Sequence, residues 1–119
     1  MILRLALILS GLSILLGAFG AHILDVHLTS MQMNTFHTAQ RYMFWHCSAI
    51  LLISILHKTQ LITSTKPALF FLAGILLFSG SLFAYLATSI KFFVFITPLG
   101  GLLFVSGWLY AAFKIRHDV

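Results

Sequence analysis

Polar side chains are rare along this chain, and the apolar stretches between them define its elements. The first stretch runs from Leu5 to Leu24, between Arg4 and Asp25. The second centres on Tyr42 to Leu56. The third runs from Ala68 to Ile90 between Lys66 and Lys91, and the fourth ends at Lys114. Roughly 20 mostly apolar residues carry a helix across a hydrocarbon core about 30 Å thick. A transmembrane β-barrel would instead need short segments of alternating polarity, and runs such as Ile14–Leu15–Leu16 and Ile50–Leu51–Leu52–Ile53 do not alternate. The predicted fold is an all-α integral membrane four-helix bundle, with helices at about 5–24, 30–57, 67–89 and 98–115 in one domain covering residues 1–119.

Local signals place the ends. Thr29 and Gln32 have the spacing of a capping box, so the second helix is expected to start beside them and run to about His57. Phe36, Ala39, Met43, His46, Ile50 and Ile53 then share the face turned to the bundle. Thr97 before Pro98 reads as an N-cap followed by a first-turn proline, which starts the last helix there and leaves residues 91–96 as a connection. Small residues recur at helical spacing: Ser13, Gly17 and Gly20 on the first span, Gly80 and Ala84 (with Ala73 and Ala87) on the third, Gly100 and Gly107 on the fourth. In lipid such stripes let backbones approach closely. The larger side chains, most of the phenylalanines among them, are expected to face lipid.

Composition agrees with the pattern and adds the orientation. Of 119 residues 61 % are apolar and 8 % charged, against about 25 % charged in a soluble domain. That excludes a soluble globule and, equally, a disordered chain. Arg4, Lys58, Lys66, Lys114 and Arg116 fall on the side that holds both termini, and Arg41 and Lys91 on the other. The positive-inside rule then predicts a multi-pass protein of the bacterial inner membrane with both termini in the cytoplasm. The net charge of +5 serves orientation and contact with membrane lipids. No basic run exists that would serve nucleic acid. The first stretch is read as a span, not a leader peptide, because it is long for a signal sequence and preceded by one cation.

Candidate chemistry is sparse. No nucleophile–base pair, phosphate loop or paired carboxylate is recognisable, so no catalytic residue, metal or cofactor is assigned. Ionisable groups inside a membrane are functional candidates by default, which singles out His22, His46 and, near them, Arg41. His46 falls near mid-bilayer and His22 near a span end, about two turns apart in depth, too far for one metal ion. The expected role of His46 is a hydrogen bond between helices, and Arg41 points away from it towards lipid phosphate or a loop carbonyl. The leading expectation is a non-enzymatic structural or accessory membrane component, as an oligomer or with another membrane protein. The alternatives are a proton, ion or lipophilic-molecule conduit around His22 and His46, and a haem- or quinone-binding subunit.

Four motifs, taken in order, carry a resemblance. They are Gly17–Ala18–Phe19–Gly20–Ala21–His22; Arg41–Tyr42 with His46; Phe78–Ser79–Gly80–Ser81–Leu82–Phe83; and Thr97–Pro98–Leu99–Gly100–Gly101 with Gly107–Trp108. Together they resemble the YgdD/YwdK-type family of small four-span membrane proteins, a domain of unknown function widespread in bacteria and with eukaryotic relatives. The resemblance implies a four-helix integral membrane protein and supplies no catalytic residues. The family typically has a glutamine after the tyrosine of the second motif, where this chain has Met43.

Overall fold

A computed structural model of the chain describes residues 1–116; Asp118, one of the two acidic residues, lies outside them. Four helices follow one another: α1 (Ile2–Phe19), α2 (Ser30–Lys58), α3 (Lys66–Thr88) and α4 (Phe92–Lys114). The end of α1 loosens into a π-helical turn, Gly20–Leu24, closed by the bond from the Asp25 N–H to the Gly20 carbonyl at 3.1 Å. The bundle measures 52 × 27 × 22 Å.

Cross-helix pairs fix the directions. Ser13 meets Gln40 and Gly20 meets Phe36, so α1 and α2 are antiparallel. Ser79 reaches Ala39 while Phe71 packs on His46, so α3 runs against α2. Ser81 pairs with Thr97 and Phe71 with Gly107, so α4 runs against α3. The result is an up-down-up-down bundle. Three of its helical stretches, Ile2–Leu24, Lys66–Thr88 and Phe92–Lys114, are long and apolar enough to cross a membrane.

The most polar helix, α2, is the one that lies inside. Its start is the expected capping box: the Thr29 hydroxyl accepts from the Gln32 N–H at 3.3 Å and the Gln32 amide oxygen accepts from the Thr29 N–H at 2.9 Å. Phe36, Ala39, Met43, His46, Ile50 and Ile53 are all buried, as their shared face requires. α1 covers one flank of α2 and buries only Ala6 and Ser13 along its α-helical length. α3 covers the other flank, and α4 packs on α3.

Two expectations need correction. Pro98 does not start α4, and residues 91–96 are no connection, since α4 begins at Phe92 with Pro98 inside it. The chain reverses instead at Ser89, whose left-handed backbone (φ 59°) ends α3. Thr97 is therefore not a cap. Its hydroxyl bonds that of Ser81 on α3 at 2.7 Å, while the proline ring removes one bond of the second turn, a loss that membrane helices absorb through hydroxyls and neighbouring helices.

The second correction concerns the small-residue face of α3. Gly80 is exposed and Ala84 only half-buried. The glycine that meets α4 is Gly74, against the Phe104 ring and the Gly100 carbonyl. Gly100 in turn lies on the α3 backbone at Leu77–Phe78, and Gly107 on Phe71 and Phe70. On α1, Gly17 and Gly20 face Gln40 and Phe36 of α2. Most bulky partners of these glycines are phenylalanines; Phe36, Phe71 and Phe104 are buried, Phe70, Phe78, Phe83 and Phe93 half-buried, and Phe19, Phe44, Phe92, Phe95 and Phe113 exposed. The three buried rings are the exception to a lipid-facing set: where a small face on one helix leaves room, an aromatic ring from the next fills it.

Candidate functional site

Two polar layers cross the bundle. In the first, α2 is held from both flanks at adjacent carbonyls. The Ser13 hydroxyl of α1 donates to the Gln40 carbonyl at 3.1 Å, and the Ser79 hydroxyl of α3 donates to the Ala39 carbonyl at 2.7 Å. The Gln40 side-chain amide returns two bonds, to the Ser13 carbonyl at 3.1 Å and its hydroxyl at 3.3 Å. Gln40 escaped the sequence reading. The available signal was its position: it sits four residues after Phe36 and three before Met43, inside the buried stripe, where an amide must find a partner on another helix. Ser79 does not bond its own helix, as Thr88 does to Ala84 at 2.7 Å, but ties α3 to α2.

The second layer lies six to seven residues further along α2, about 10 Å by helical rise. His46 is buried there at 6 % exposure. Its Nδ1 lies 2.8 Å from the Tyr42 carbonyl, so Nδ1 carries the hydrogen. Nε2 then accepts from the indole Nε1–H of Trp108 on α4 at 3.4 Å. The Phe104 ring stacks on the imidazole with centroids 3.5 Å apart, and Tyr42 and Phe71 complete the enclosure. Trp108, itself 45 % exposed, thus donates inward from the flank of the bundle. Tyr110 is the residue near the helix end, with the Lys114 ammonium 5.5 Å from its ring centre.

The imidazole is fully engaged as a neutral ring, one nitrogen donating and the other accepting. A relay would need a next group able to take a proton and pass it on, and a helical carbonyl ends the path at Nδ1. His22 does not join it. His22 is exposed in the π-helical turn, beside the Gly20–Phe36 contact, and Phe36 lies ten residues from His46, about 15 Å along α2. Arg41 is exposed on the far side of α2 from His46. The three candidates therefore do not form one site. Among the described residues no three metal-ligating side chains converge. Beside the imidazole, a lateral groove of about 670 Å³ opens between α2 and α4, lined mainly by Tyr42, Trp45, Phe78, Phe104 and Trp108.

The set of small-residue contacts, the polar layers and the buried histidine span the stretch over which the chain matches a known family model. That model, described as a protein of unknown function (DUF423), matches residues 16–101. The chain belongs to the DUF423 family. Curated relatives agree over nearly the whole length. The chain is similar to a UPF0382 membrane protein of Staphylococcus aureus, 35 % identical over 111 residues that cover 90 % of this chain and 91 % of the relative. It is also similar to the UPF0382 inner membrane protein YgdD of Escherichia coli, 33 % identical over 106 residues, or 86 % and 81 % of the two chains. A UPF0382 membrane protein of Staphylococcus haemolyticus is 37 % identical over 93 residues, 78 % of this chain and 76 % of its own. No solved structure matches. This DUF423 chain is an integral membrane protein, as its sequence family and its apolar helices both state.

Proposed function

We propose that this DUF423 chain is a non-enzymatic, four-span structural or accessory component of the bacterial inner membrane, with both termini in the cytoplasm. The observation that carries this reading is where its interior polarity goes. Ser13, Gln40, Ser79, Ser81, Thr97, His46 and Trp108 are all spent on bonds between helices. Among the described residues no buried side-chain nitrogen or oxygen is left without a partner. Catalysis and transport need polar groups held free for substrate. Four spans follow if α1 and α3 cross in the same direction, since α2 runs antiparallel between them and must return through the same layer. The relative named as an inner membrane protein supports the compartment, and the excess of cations at the end holding both termini supports the orientation.

Purified full-length protein in proteoliposomes tests the role. No flux of protons or small ions that depends on His46 is expected between about pH 5 and 8, the range of imidazole titration. A flux abolished by His46→Ala would overturn the proposal. A C-terminal reporter active only outside the cytoplasm would reverse the orientation. The groove beside His46 supports a second reading, a site for a lipophilic molecule. A co-purifying quinone or other planar lipid, lost in Trp108→Ala and His46→Ala alike, would favour it. The haem reading gains nothing from the geometry, because both imidazole nitrogens are engaged.

A further inference from the structure

The end of the bundle that holds the α2–α3 loop carries a feature that the helix-tying role does not use. The loop and the last residues of α4 form a two-stranded clasp. Ile62 pairs with Ile115, the Thr63 N–H donates to the Lys114 carbonyl at 3.0 Å, and the Arg116 N–H donates to the Leu61 carbonyl at 3.1 Å. The clasp brings segments more than fifty residues apart around one open cleft of about 430 Å³, lined by His57, Lys58, Gln60, Ile62, Thr63 and Arg116. Two permanent cations, an imidazole, an amide and a hydroxyl thus share a wall. Asp25, the carboxylate of the described residues, belongs to the opposite end, between α1 and α2. Among the described residues no carboxylate lies at this end, so the like charges gathered there attract an anion, and an arginine that shares a cleft with a lysine suits phosphate oxygens.

A second cavity adjoins the first. A groove of about 350 Å³ runs between the start of α1 and the end of α2, lined by Leu3, Leu7, Leu51, Ser54, Ile55 and Lys58. Lys58 is common to both. A cationic cleft that shares Lys58 with an apolar groove along a membrane helix has the layout of a phospholipid: headgroup, then chain. We propose that this end of the protein binds one anionic phospholipid, its phosphate in the cleft at Lys58 and Arg116 and an acyl chain in the groove between α1 and α2. A free phosphate compound would share the first half of this chemistry and not the second.

Native mass spectrometry of the full-length protein in a non-ionic detergent tests the proposal. The probes are dioleoyl phosphatidylglycerol, its dihexanoyl counterpart and inorganic phosphate. The variants are the double substitution Lys58→Gln with Arg116→Gln, and Lys91→Gln as a control at the other end, each checked for wild-type helical content by circular dichroism. We expect one dioleoyl lipid retained by wild type and by Lys91→Gln. The double variant should need at least about tenfold more lipid for half-occupancy, the loss of roughly one charge-assisted contact. The dihexanoyl lipid should bind more weakly than the dioleoyl form. Equal retention by wild type and double variant, or an equal loss in Lys91→Gln, would overturn the site. Saturable binding of inorganic phosphate with no preference for the long-chain lipid would assign the cleft to a soluble phosphate and overturn the phospholipid.

Discussion

Gly80 and Gly100 offer a controlled comparison of what holds α3 to α4. Both are helix-interior glycines, and replacing either by alanine removes the same intrinsic helix penalty of about 1 kcal/mol. They differ in what the new methyl meets. At Gly80 the nearest atom is the Ile75 carbonyl oxygen at 3.9 Å, ordinary contact. At Gly100 it would fall on the Phe78 nitrogen, with the Phe78 Cβ at 2.7 Å and the Leu77 carbonyl carbon at 2.8 Å. Carbon atoms rest about 3.5–4.0 Å apart. Two of these neighbours are backbone, so no side-chain rotation relieves the clash and α4 must back away by about 1 Å. A gap of that size forfeits a quarter to a half of each affected dispersion contact, and overpacking of this kind costs about 1–3 kcal/mol. The helix term cancels between the two variants. Gly100→Ala is therefore expected to be less stable than Gly80→Ala by about 1–3 kcal/mol, with Gly80→Ala at or above wild type. Reversible unfolding in mixed micelles, followed by far-ultraviolet circular dichroism, measures the difference. A difference below about 0.5 kcal/mol, the range of changes that touch nothing, would refute close backbone packing as the basis of the α3–α4 contact.

Three further outcomes follow from the polar layers and the core. Ser79→Ala should destabilise by about 0.6 kcal/mol and at most about 1.7, the measured span for hydrogen bonds between membrane helices, whereas Thr88→Ala, whose hydroxyl bonds its own helix, should change little in the same unfolding assay; equal effects would remove the inter-helix role of Ser79. Trp108→Phe strips Nε2 of His46 of its donor and should cost about 1 kcal/mol, while Trp45→Phe, at a residue 56 % exposed, should be neutral; a silent Trp108→Phe would show that the 3.4 Å bond contributes nothing. Cys47, fully buried, should resist a maleimide in native micelles and react only after denaturation, so rapid native labelling would contradict its placement.

The sequence made α2 readable because α2 is polar. Thr29 and Gln32 marked its start, and the contrast between Arg41, Trp45 and Ser48 on one side and Met43, His46 and Ile50 on the other marked its buried face. His46 could be placed inside for the same reason. Its partner could not, because Trp108 is 62 positions away and a tryptophan near a span end reads first as an interface residue. The α3–α4 turn was hidden differently. Ser89 takes a left-handed conformation usually reserved for glycine or asparagine, so nothing marked the reversal, and Pro98 attracted a helix start that the chain had already made at Phe92.

The misplaced face of α3 has a cause that reaches beyond this chain. In water, a hydrophobic stripe points inward because the opposite face must be wetted. In lipid both faces are apolar, and the hydrophobic pattern loses its sense of direction. α3 carries two glycines six positions apart, Gly74 and Gly80, which at 100° per residue point about 120° away from each other. Periodicity alone cannot choose between them. What chooses is the partner: Phe104 of α4 fills the space at Gly74, with Gly100 close beside it, while among the described residues no other helix reaches Gly80. The hydroxyls give the choice its only polar marker. Ser81 lies seven residues from Gly74, on the same face, and bonds Thr97 on α4. In α3 the small residue that packs is the one whose face also carries a hydroxyl with a partner to reach: Gly74 and Ser81 turn to α4, and Gly80 is left on the outer face.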